Sequence, residues 1–435
     1  MHGYGANKAL GGAGSANPQD AMAGATNPAG AVWVGDRVDV GGELFKPNRG
    51  YKISAPGKST FDSNSSFNLT NAGDAFGAIN QTYSIESSKN AMESDIGFLI
   101  PSMGIVKQLP HGNAIGFSIY GAGMGTEYDR DDTPDVIANI NGEDVNFTKT
   151  QGINGTFMDG STGVDLLLIM ANLHFASKIT DDISIGVGLV GAAQRFKAKG
   201  LGAFQMISQG KIKSGEGDWA FGLGFNTGIQ WNINDQFSVA ASYYSKIKLT
   251  HDKYTGLFAD EGDFSLAPIT NIGMTYKPNR TSALSFDVQW IQYSQIPAPG
   301  NKFEYLFRDP SEDNPLPIVP LGNKDGAGFG FEDSIVYKVG YQFKMASLPK
   351  YIWRVGYAYQ DQIIPKNGTL FPMLAPATIT EHFTAGMSHQ FSENIDLNMN
   401  FLYSPKETVK GEGISEGVDI WLEEYALEFG LGYKY

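Results

Sequence analysis

The 435-residue sequence contains no cysteine, which excludes disulfide frameworks, thiol catalysis and cysteine-ligated metal sites. Charged residues make up only 18% of the chain, whereas soluble domains carry about 25%. No run of about 18 apolar residues is present, so the sequence has no candidate transmembrane helix. The formal net charge of −14 argues against nucleic acid as a partner, because duplex binding needs a cationic face.

The amino terminus, MHGYGANK, also lacks the apolar stretch of a signal peptide. This fits either a cytoplasmic protein or a mature chain whose signal has been removed, and the sequence leaves both open. No linker or composition shift divides the chain beyond residue 40. We therefore expect two parts, a small-residue segment over 1–40 and a strand-rich part over 41–435.

Apolar and polar residues alternate along most of the second part. In the last stretch, EYALEFGLGYKY, apolar side chains occupy every second position from Tyr425 to Tyr435. A strand directs successive side chains to opposite faces, so this stretch predicts a strand with one apolar face. The pattern recurs over 221–231, 284–290, 335–343, 353–359 and 395–401.

Short polar turns alternate with long polar or glycine-rich segments, six against seven, which divides the sequence into about fourteen strands. The long segments lie near 52–93, 127–162, 198–217, 250–264, 296–333, 361–379 and 404–422. An even strand number with alternating short and long connections is typical of outer-membrane barrels. The prediction is an all-β fold, a 14-stranded antiparallel transmembrane β-barrel. The alternative is a large soluble β-sandwich or a lipocalin-like barrel.

The opening segment, ALGGAGSANPQDAMAGATNPAGAVW, shows no alternation. The lumen of a barrel of about fourteen strands is too wide for strand side chains to fill. A chain of Gly, Ala and Ser can fold compactly inside it. Asn27 precedes Pro28, which favours a turn whose peptide groups could pair with the inner wall. A disordered tail is the alternative.

The segment HGYGANKALGGAGSANPQDAMAGATNPAG resembles the N-terminal hatch of the FadL family of outer-membrane transporters for long-chain fatty acids, which also includes aromatic-hydrocarbon channels. The NPA motif of the family falls on Asn27, Pro28 and Ala29. WAFGLGFNTGIQWNINDQFSVAASYYSKI, DVQWIQYSQ, GAGFGFEDSIVYKVGYQF, RVGYAYQDQIIP and LAPATITEHFTAGMSHQF are similar to further family segments. The resemblance implies a monomeric barrel in the Gram-negative outer membrane, surrounded by lipid and lipopolysaccharide, with a hatch in its lumen. It implies no cofactor and no energised partner.

The resemblance also implies a route: capture between outer loops, an inner pocket, and lateral release at a kinked third strand after the hatch moves. The third strand is expected at 114–128, where Gly121, Gly123 and Gly125 leave one face without side chains and permit a kink. Ordinary barrel coiling at glycines is the alternative.

The capture groove is expected between the loops 198–217 and 250–264. These loops contain a set of apolar residues: Leu201, Phe204, Met206, Ile207, Tyr254, Leu257 and Phe258. Exposed apolar clusters of this size mark binding or membrane sites. Internal packing of two long loops is the alternative.

Three cations are candidates for an inward pocket, Arg195, Lys338 and Arg354. A buried Arg or Lys can pair with the carboxylate of a ligand. The alternative is a network of charged side chains that holds the hatch in the lumen.

Two motifs of enzymes occur without their structural context. GVGLVG, over 186–191, matches a dinucleotide fingerprint but lies in an alternating strand with no helix after it. GISEG, over 413–417, matches a nucleophile elbow but lies in a polar loop. The acidic stretch 129–144 lacks the spacing of an EF-hand and is interpreted as a solvated loop. We therefore expect neither an enzyme nor a metal site.

The sequence thus predicts a channel for passive uptake of hydrophobic molecules, with long-chain fatty acids as the first expectation. A channel for aromatic or aliphatic hydrocarbons is the alternative within the same family. A general porin for polar solutes and a membrane-anchored adhesion barrel are the alternatives outside it.

Overall fold

A computed structural model describes residues 5–53, 60–61, 83–86, 98–128, 137–140, 143–146, 157, 159–307 and 319–435. Fourteen antiparallel strands follow one another around a single closed barrel. The strands are β1 (Arg37–Ile53), β2 (Phe98–Leu109), β3 (Asn113–Tyr128), β4 (Thr162–Lys178), β5 (Ile183–Lys199), β6 (Asp218–Asn232), β7 (Phe237–Tyr244), β8 (Ile269–Asn279), β9 (Ser282–Ile291), β10 (Ser334–Phe343), β11 (Tyr351–Gln360), β12 (Glu381–Gln390), β13 (Ile395–Val409) and β14 (Val418–Lys434).

The barrel closes where β14 pairs with β1, in a continuous antiparallel register from Arg37↔Lys434 to Ile53↔Val418. Closure leaves no sheet edge between the first and last strands, which is the condition for strands that cross hydrocarbon. The prediction of a 14-stranded antiparallel barrel is confirmed, and the β-sandwich alternative is excluded.

Short turns join the strands at one end of the barrel and long segments join them at the other, as the sequence predicts. We call these the short-turn end and the long-loop end. The predicted loop 404–422 is too long, because β13 continues to Val409 and β14 begins at Val418. Polar residues at these strand ends interrupt the apolar alternation from which the strands are predicted.

Strand alternation places apolar side chains outside the barrel. In β14, Phe429, Leu431 and Tyr433 are exposed on the outer face, whereas Ala426 and Glu428 are buried inside. This matches strands with an apolar outward face and a polar or small inward face.

The helices are short. Those with 3-10 geometry are Gly5–Leu10, Ala21–Ala25, Pro28–Trp33, Pro110–Gly112, Asp252–Tyr254, Tyr293–Gln295, Phe303–Phe307, Lys366–Gly368, Pro372–Leu374 and Gly413–Ser415. The α-helices are α1 (Gly202–Ile207), α2 (Ala259–Gly262) and α3 (Pro297–Gly300). Among the described residues, no helix has the length and apolar character needed to cross a membrane.

In the described parts of the chain, four further strands lie outside the barrel wall. Tyr83–Glu86 pairs with the last residues of β1. Thr60–Phe61, Ile137–Ile140 and Glu143–Asn146 form a separate small sheet.

A hydrophobic core lies at the long-loop end, where loop residues pack on the ends of the strands. Its largest members include Tyr51, Tyr128, Phe196, Phe204, Tyr254, Phe258, Phe303 and Phe371. Aromatic rings contact one another edge-on within it, for example Phe196 and Tyr254 at 4.7 Å between ring centroids. The long loops therefore form a packed cap over the barrel.

Candidate functional site

Residues 5–36, called here the N-terminal segment, lie inside the barrel. Nearly all of its Ala, Gly and Ser residues are buried. Small side chains let its backbone approach the wall closely: a Cβ built on Gly104 of β2 would lie 2.6 Å from the Ala21 carbonyl oxygen. The composition of the segment is therefore what allows it to fit in the lumen.

One side of the wall holds the segment through the carbonyl oxygen of Gly24. This oxygen accepts hydrogen bonds from Asn172 Nδ2 of β4 at 2.8 Å, Asn226 Nδ2 of β6 at 3.1 Å and the Tyr244 hydroxyl of β7 at 3.0 Å. Three donors from three strands converge on one backbone acceptor, so this position is fixed from several directions.

Strands further along the wall hold the first half of the segment. Asp287 Oδ2 of β9 accepts from the Gly14 and Ser15 amides at 3.0 and 2.9 Å. Arg354 of β11 donates to Gln19 Oε1 at 2.7 and 3.1 Å. Bonds to charged groups are each worth about 1.5–3 kcal/mol, so β9 and β11 form a second attachment of the segment to the wall.

The NPA residues begin the helix Pro28–Trp33 in the second half of the segment. Asn27 is extended, with φ −147°, and its Oδ1 accepts from the Ala29 amide at 3.1 Å, which caps the helix Pro28–Trp33. Its Nδ2 donates to the carbonyl oxygens of Ser15 at 3.1 Å and Ile229 at 3.2 Å. Asn27 thus connects the backbone of the segment at Ser15 with the wall at Ile229.

A cavity of about 480 Å³ occupies the lumen between the N-terminal segment and the loop cap. Its lining is mostly apolar, with polar groups at a few positions. The segment contributes Lys8, Gly12, Ala25 and Thr26, and the loops contribute Ile247, Leu266, Ala375, Pro376 and Ala377. A cavity of this size and character is typical of a site for a small hydrophobic molecule.

The wall is interrupted beside this cavity, between β2 and β3. The two strands pair from Leu109↔Asn113 to Met103↔Ile119, and the described ladder stops there. Beyond it, among the residues that the structure describes, 98–102 pairs only with β1 and 120–128 pairs only with β4. We call this unpaired stretch the seam gap.

The cavity extends into the seam gap. In an intact wall only every second residue of a strand faces the lumen. Here the consecutive residues 120–126 of β3 and 100–102 of β2 all line the cavity. Inward-facing and outward-facing residues of the same strand can line one cavity only where that cavity extends past the edge of the strand.

The three predicted glycines of β3 border this gap. A Cβ built on Gly121 would lie 2.8 Å from the Leu168 carbonyl oxygen, too close for any side chain. A Cβ built on Gly123 would lie 3.5 Å from its nearest neighbour, the Leu166 carbonyl oxygen. A side chain at this position therefore meets no backbone clash and would extend into the gap. The glycine stretch is thus placed where the wall opens.

The three predicted cations lie in different surroundings. Lys338 of β10 is buried, faces inward and lines the cavity. Its register partner is Asp287, whose Oδ2 is held by Gly14 and Ser15, and no ion pair joins the two within the described chain. Lys338 is therefore the cation of the three that can meet a ligand.

Arg354 holds the segment instead of lining the cavity: besides Gln19, it contacts Ser388 Oγ at 2.6 Å. The expectation that Arg195 points inward is wrong. In β5 the buried inward positions are the even-numbered Gln194 and Phe196, and Arg195 lies on the outer face beside Trp219. The strand period decides this, because one step along a strand reverses the face.

The residues expected to form an outer capture groove are packed inside the loop cap. Leu201, Phe204, Tyr254, Leu257 and Phe258 are buried there, and Ile207 is partly buried. The side chain of Met206 lies outside the described residues. The expected exposure is therefore not found, because the two loops bury their apolar side chains against each other and against other loops.

The motifs set aside in the sequence also have structural positions. The stretch 186–191 lies within β5, and Ser415 donates from its hydroxyl to the Asn367 carbonyl oxygen at 2.9 Å. Most of the acidic stretch 129–144 lies outside the described residues. Within the part of the chain that is described, no group of acidic and histidine side chains is arranged to hold a metal.

Sequence reasoning missed Arg49, which lines the cavity, and Phe98, which lies across the seam gap from Gly123 and Gly125. The guanidinium carbon of Arg49 lies 6.0 Å from the centre of the Phe98 ring. The alternation of β1, in which Glu43, Phe45 and Arg49 share the inward face, is the signal that could have found Arg49. The glycines of β3 and Pro101 of β2 are the sequence signals for the weakened ladder beside Phe98.

Comparison with protein families relates the whole chain to one of them. Residues 2–435 match the model of a family described as outer membrane protein transport protein (OMPP1/FadL/TodX). No curated protein sequence matches the chain.

Solved structures share this architecture. The toluene transporter TodX of Pseudomonas putida is similar with a TM-score of 0.63 at 14% identity, over 100% of this chain and 99% of that one. The Ralstonia pickettii toluene transporter TbuX gives 0.60 at 14% identity, over 100% and 99%. A FadL homologue of Pseudomonas aeruginosa gives 0.57 at 14% identity, over 99% and 98%. At these identities the likeness concerns the fold.

Proposed function

Because this chain belongs to the outer membrane protein transport protein family (OMPP1/FadL/TodX), whose members are transport channels and not enzymes, we propose that it carries long-chain fatty acids passively across the outer membrane. The molecule occupies the lumenal cavity and leaves through the seam gap into the bilayer. The observation that carries this proposal is the cavity lining, which includes consecutive residues of β2 and β3 at a break in the wall.

Lateral release suits an apolar cargo. Such a molecule gains free energy by staying out of water, at roughly 0.8 kcal/mol per buried CH₂. A path from an apolar cavity directly into hydrocarbon keeps it out of water throughout. No energy source is required, because the cargo moves toward the phase it prefers.

The N-terminal segment is the hatch in this proposal. It closes the lumen toward the short-turn end, and the cargo therefore turns sideways. Capture by the loops 198–217 and 250–264 requires the packed cap to open, since their apolar side chains are buried against one another. A single chain supplies the complete barrel, so a monomer suffices.

Lys338 selects a carboxylate in this proposal. It is a buried cation that faces the cavity, and a charge-assisted bond to a head group would be worth about 1.5–3 kcal/mol. The cavity volume also exceeds what a single aromatic ring needs and suits a chain of methylenes.

Uptake of hydrocarbons is the second candidate. Four carboxylates line the cavity, Glu43, Asp287, Glu424 and Glu428, against the cations Lys8, Arg49 and Lys338. Lys8 already pairs with Glu43, and Glu428 lies 3.6 Å from the same ammonium. A lining in which carboxylates outnumber cations repels a carboxylate head and favours a molecule without a charged head.

The test is uptake of labelled oleate and labelled toluene by Gram-negative cells that lack their own transporter of this type. Cells carry the natural chain, Lys338→Met, or Lys338→Arg as the matched control that keeps the charge. We expect oleate uptake in the natural chain and in Lys338→Arg, and a loss of about tenfold or more in Lys338→Met, as removal of one charge-assisted bond predicts.

Uptake of toluene alone, unchanged by either substitution, would establish the hydrocarbon function in place of fatty-acid uptake. Passage of small sugars with uptake of neither hydrophobic molecule would identify a porin and overturn both.

A further inference from the structure

Two side chains of β2 approach the glycines of β3 across the seam gap. On β3 the bordering positions are Gly121, Gly123 and Gly125, which contribute no side chain. On β2 the inward positions are Phe98 and Ile100. Among the described residues, the side chains that approach these glycines from across the gap therefore come from β2.

Phe98 reaches across the gap. A Cβ built on Gly125 would lie 3.2 Å from Phe98 Cζ, and one built on Gly123 would lie 3.9 Å from Cδ1. Ile100 lies nearer the end of the ladder, where a Cβ on Gly121 would be 3.8 Å from its Cγ2. The ring thus covers the wider part of the opening and the Ile side chain its closed end.

Phe98 packs at the edge of a small hydrophobic cluster of Phe45, Leu402 and Ala426. Its ring centre is 6.4 Å from that of Phe45, with the planes tilted by 44°, and 6.0 Å from the Arg49 guanidinium carbon. Both values are near the outer limit for such contacts. The side chain is partly buried and not enclosed. By contrast Ile100 is β-branched and therefore stiff at χ1.

We propose that the Phe98 side chain is a gate across the seam gap. The size of this side chain sets the width of the hydrophobic molecule that can leave the cavity. This rests on the proposed lateral route. The ring swings about χ1 and χ2 while the backbone of both strands stays in place. The Ile100 side chain stays fixed at the closed end of the gap. The glycines of β3 form an edge without side chains, along which a flexible chain can pass.

The test compares a narrow and a wide cargo, labelled oleate and a pyrene-labelled fatty acid. Phe98→Ala should raise uptake of the pyrene acid severalfold relative to oleate, and Phe98→Trp should lower it severalfold. Leu99→Ala is the matched control, because Leu99 is the neighbouring residue on the outer face with 57% of its surface exposed. Its uptake ratio should equal that of the natural chain. Heat-modifiable migration on gels checks that each barrel is folded.

Gly123→Leu separates this proposal from the one on which it rests. If Gly123→Leu blocks uptake of both cargoes while Phe98→Ala and Phe98→Trp leave the ratio of pyrene-acid uptake to oleate uptake unchanged, the lateral route stands and the Phe98 gate is overturned. If Gly123→Leu takes up both cargoes at the rate of the natural chain, the lateral route is overturned, and the gate proposal is overturned with it. The gate is supported if the ratio of pyrene-acid uptake to oleate uptake rises in Phe98→Ala and falls in Phe98→Trp, and if Gly123→Leu blocks uptake of both cargoes.

Discussion

The two halves of the seam between β2 and β3 differ although the same two strands form both. Toward the short-turn end the strands pair over seven residues each, from Met103 to Leu109 and from Asn113 to Ile119. That half is backed by the N-terminal segment, where Ala21, Ala31 and Val32 pack against Val106 and Ala114. Toward the long-loop end the strands do not pair, and the cavity lies behind them.

The comparison shows that the wall is continuous where the N-terminal segment supports it and open where the cavity lies behind it. Pro101 contributes no amide hydrogen in the open half, and the β3 glycines weaken strand pairing there. An open edge facing hydrocarbon is costly because its backbone groups lack partners. Its presence here therefore calls for a function.

The largest expected effect comes from joining the open half. Because the chain has no cysteine, Phe98→Cys with Gly125→Cys can be bridged selectively by a short bis-maleimide. We expect uptake of oleate to be abolished, since the bridge crosses the gap.

The matched control is Ile105→Cys with Phe117→Cys, whose residues are register partners in the closed half. Bridging it should leave uptake unchanged. Equal inhibition by both bridges would show that the difference between the halves has no role in transport.

Filling single glycines should separate transport from stability. Gly123→Leu in the open half should lower uptake about tenfold or more with little change in stability, because its Cβ has room. Gly116→Ala in the closed half meets the His174 ring, 2.7 Å from Cε1. Overpacking of this kind costs about 1–3 kcal/mol. Uptake assays and denaturant unfolding of purified barrels measure the two effects, and a reversed pattern would contradict the comparison.

Loosening the support of the closed half is the next test. Asn27→Ala removes a helix cap and two bonds, at a cost of about 1–2 kcal/mol. We expect faster hydrogen exchange over Pro28–Trp33. Asn17→Ala is the control, since Asn17 also precedes a proline but makes only a 3.5 Å contact to Ser285. If exchange accelerates equally in both variants, Asn27 is not a specific anchor.

The smallest expected effect is on pH dependence. Burial, and then the nearby Asp39 carboxylate, raise the pKa of Asp20 from 3.8 to about 6, against the amides of Ala6 and Met22 and the Arg37 guanidinium. When the segment undocks, Asp20 returns toward 3.8. Docking is therefore strongest below about pH 4 and weakens as pH rises through 6.

Single-channel recordings at pH 5 and pH 7 measure this effect. Opening should be more frequent at pH 7 in the natural chain, and Asp20→Asn should remove most of the difference. A pH response of the same size in Asp20→Asn would assign it to another group.

Much of the fold could be predicted because strand period and loop length are local properties. Alternation from Tyr425 to Tyr435 and the succession of short and long connections were enough for fourteen strands. The same reasoning assigned Lys338 to the inner face, but it failed for Arg195, where the choice of face depended on a one-residue register that the charged stretch after Gln194 did not reveal.

The sequence by itself determined the closed barrel, its outward apolar face and a small-residue segment at the start, since each follows from side-chain period and size. Only the tertiary structure decided that the ladder stops between Met103 and Ser102, that Phe98 covers the opening, and that the loop residues around Phe204 and Phe258 are buried. These features depend on contacts between residues distant along the chain. Pairing, closure and packing of loops bring such residues together, and no local pattern records them.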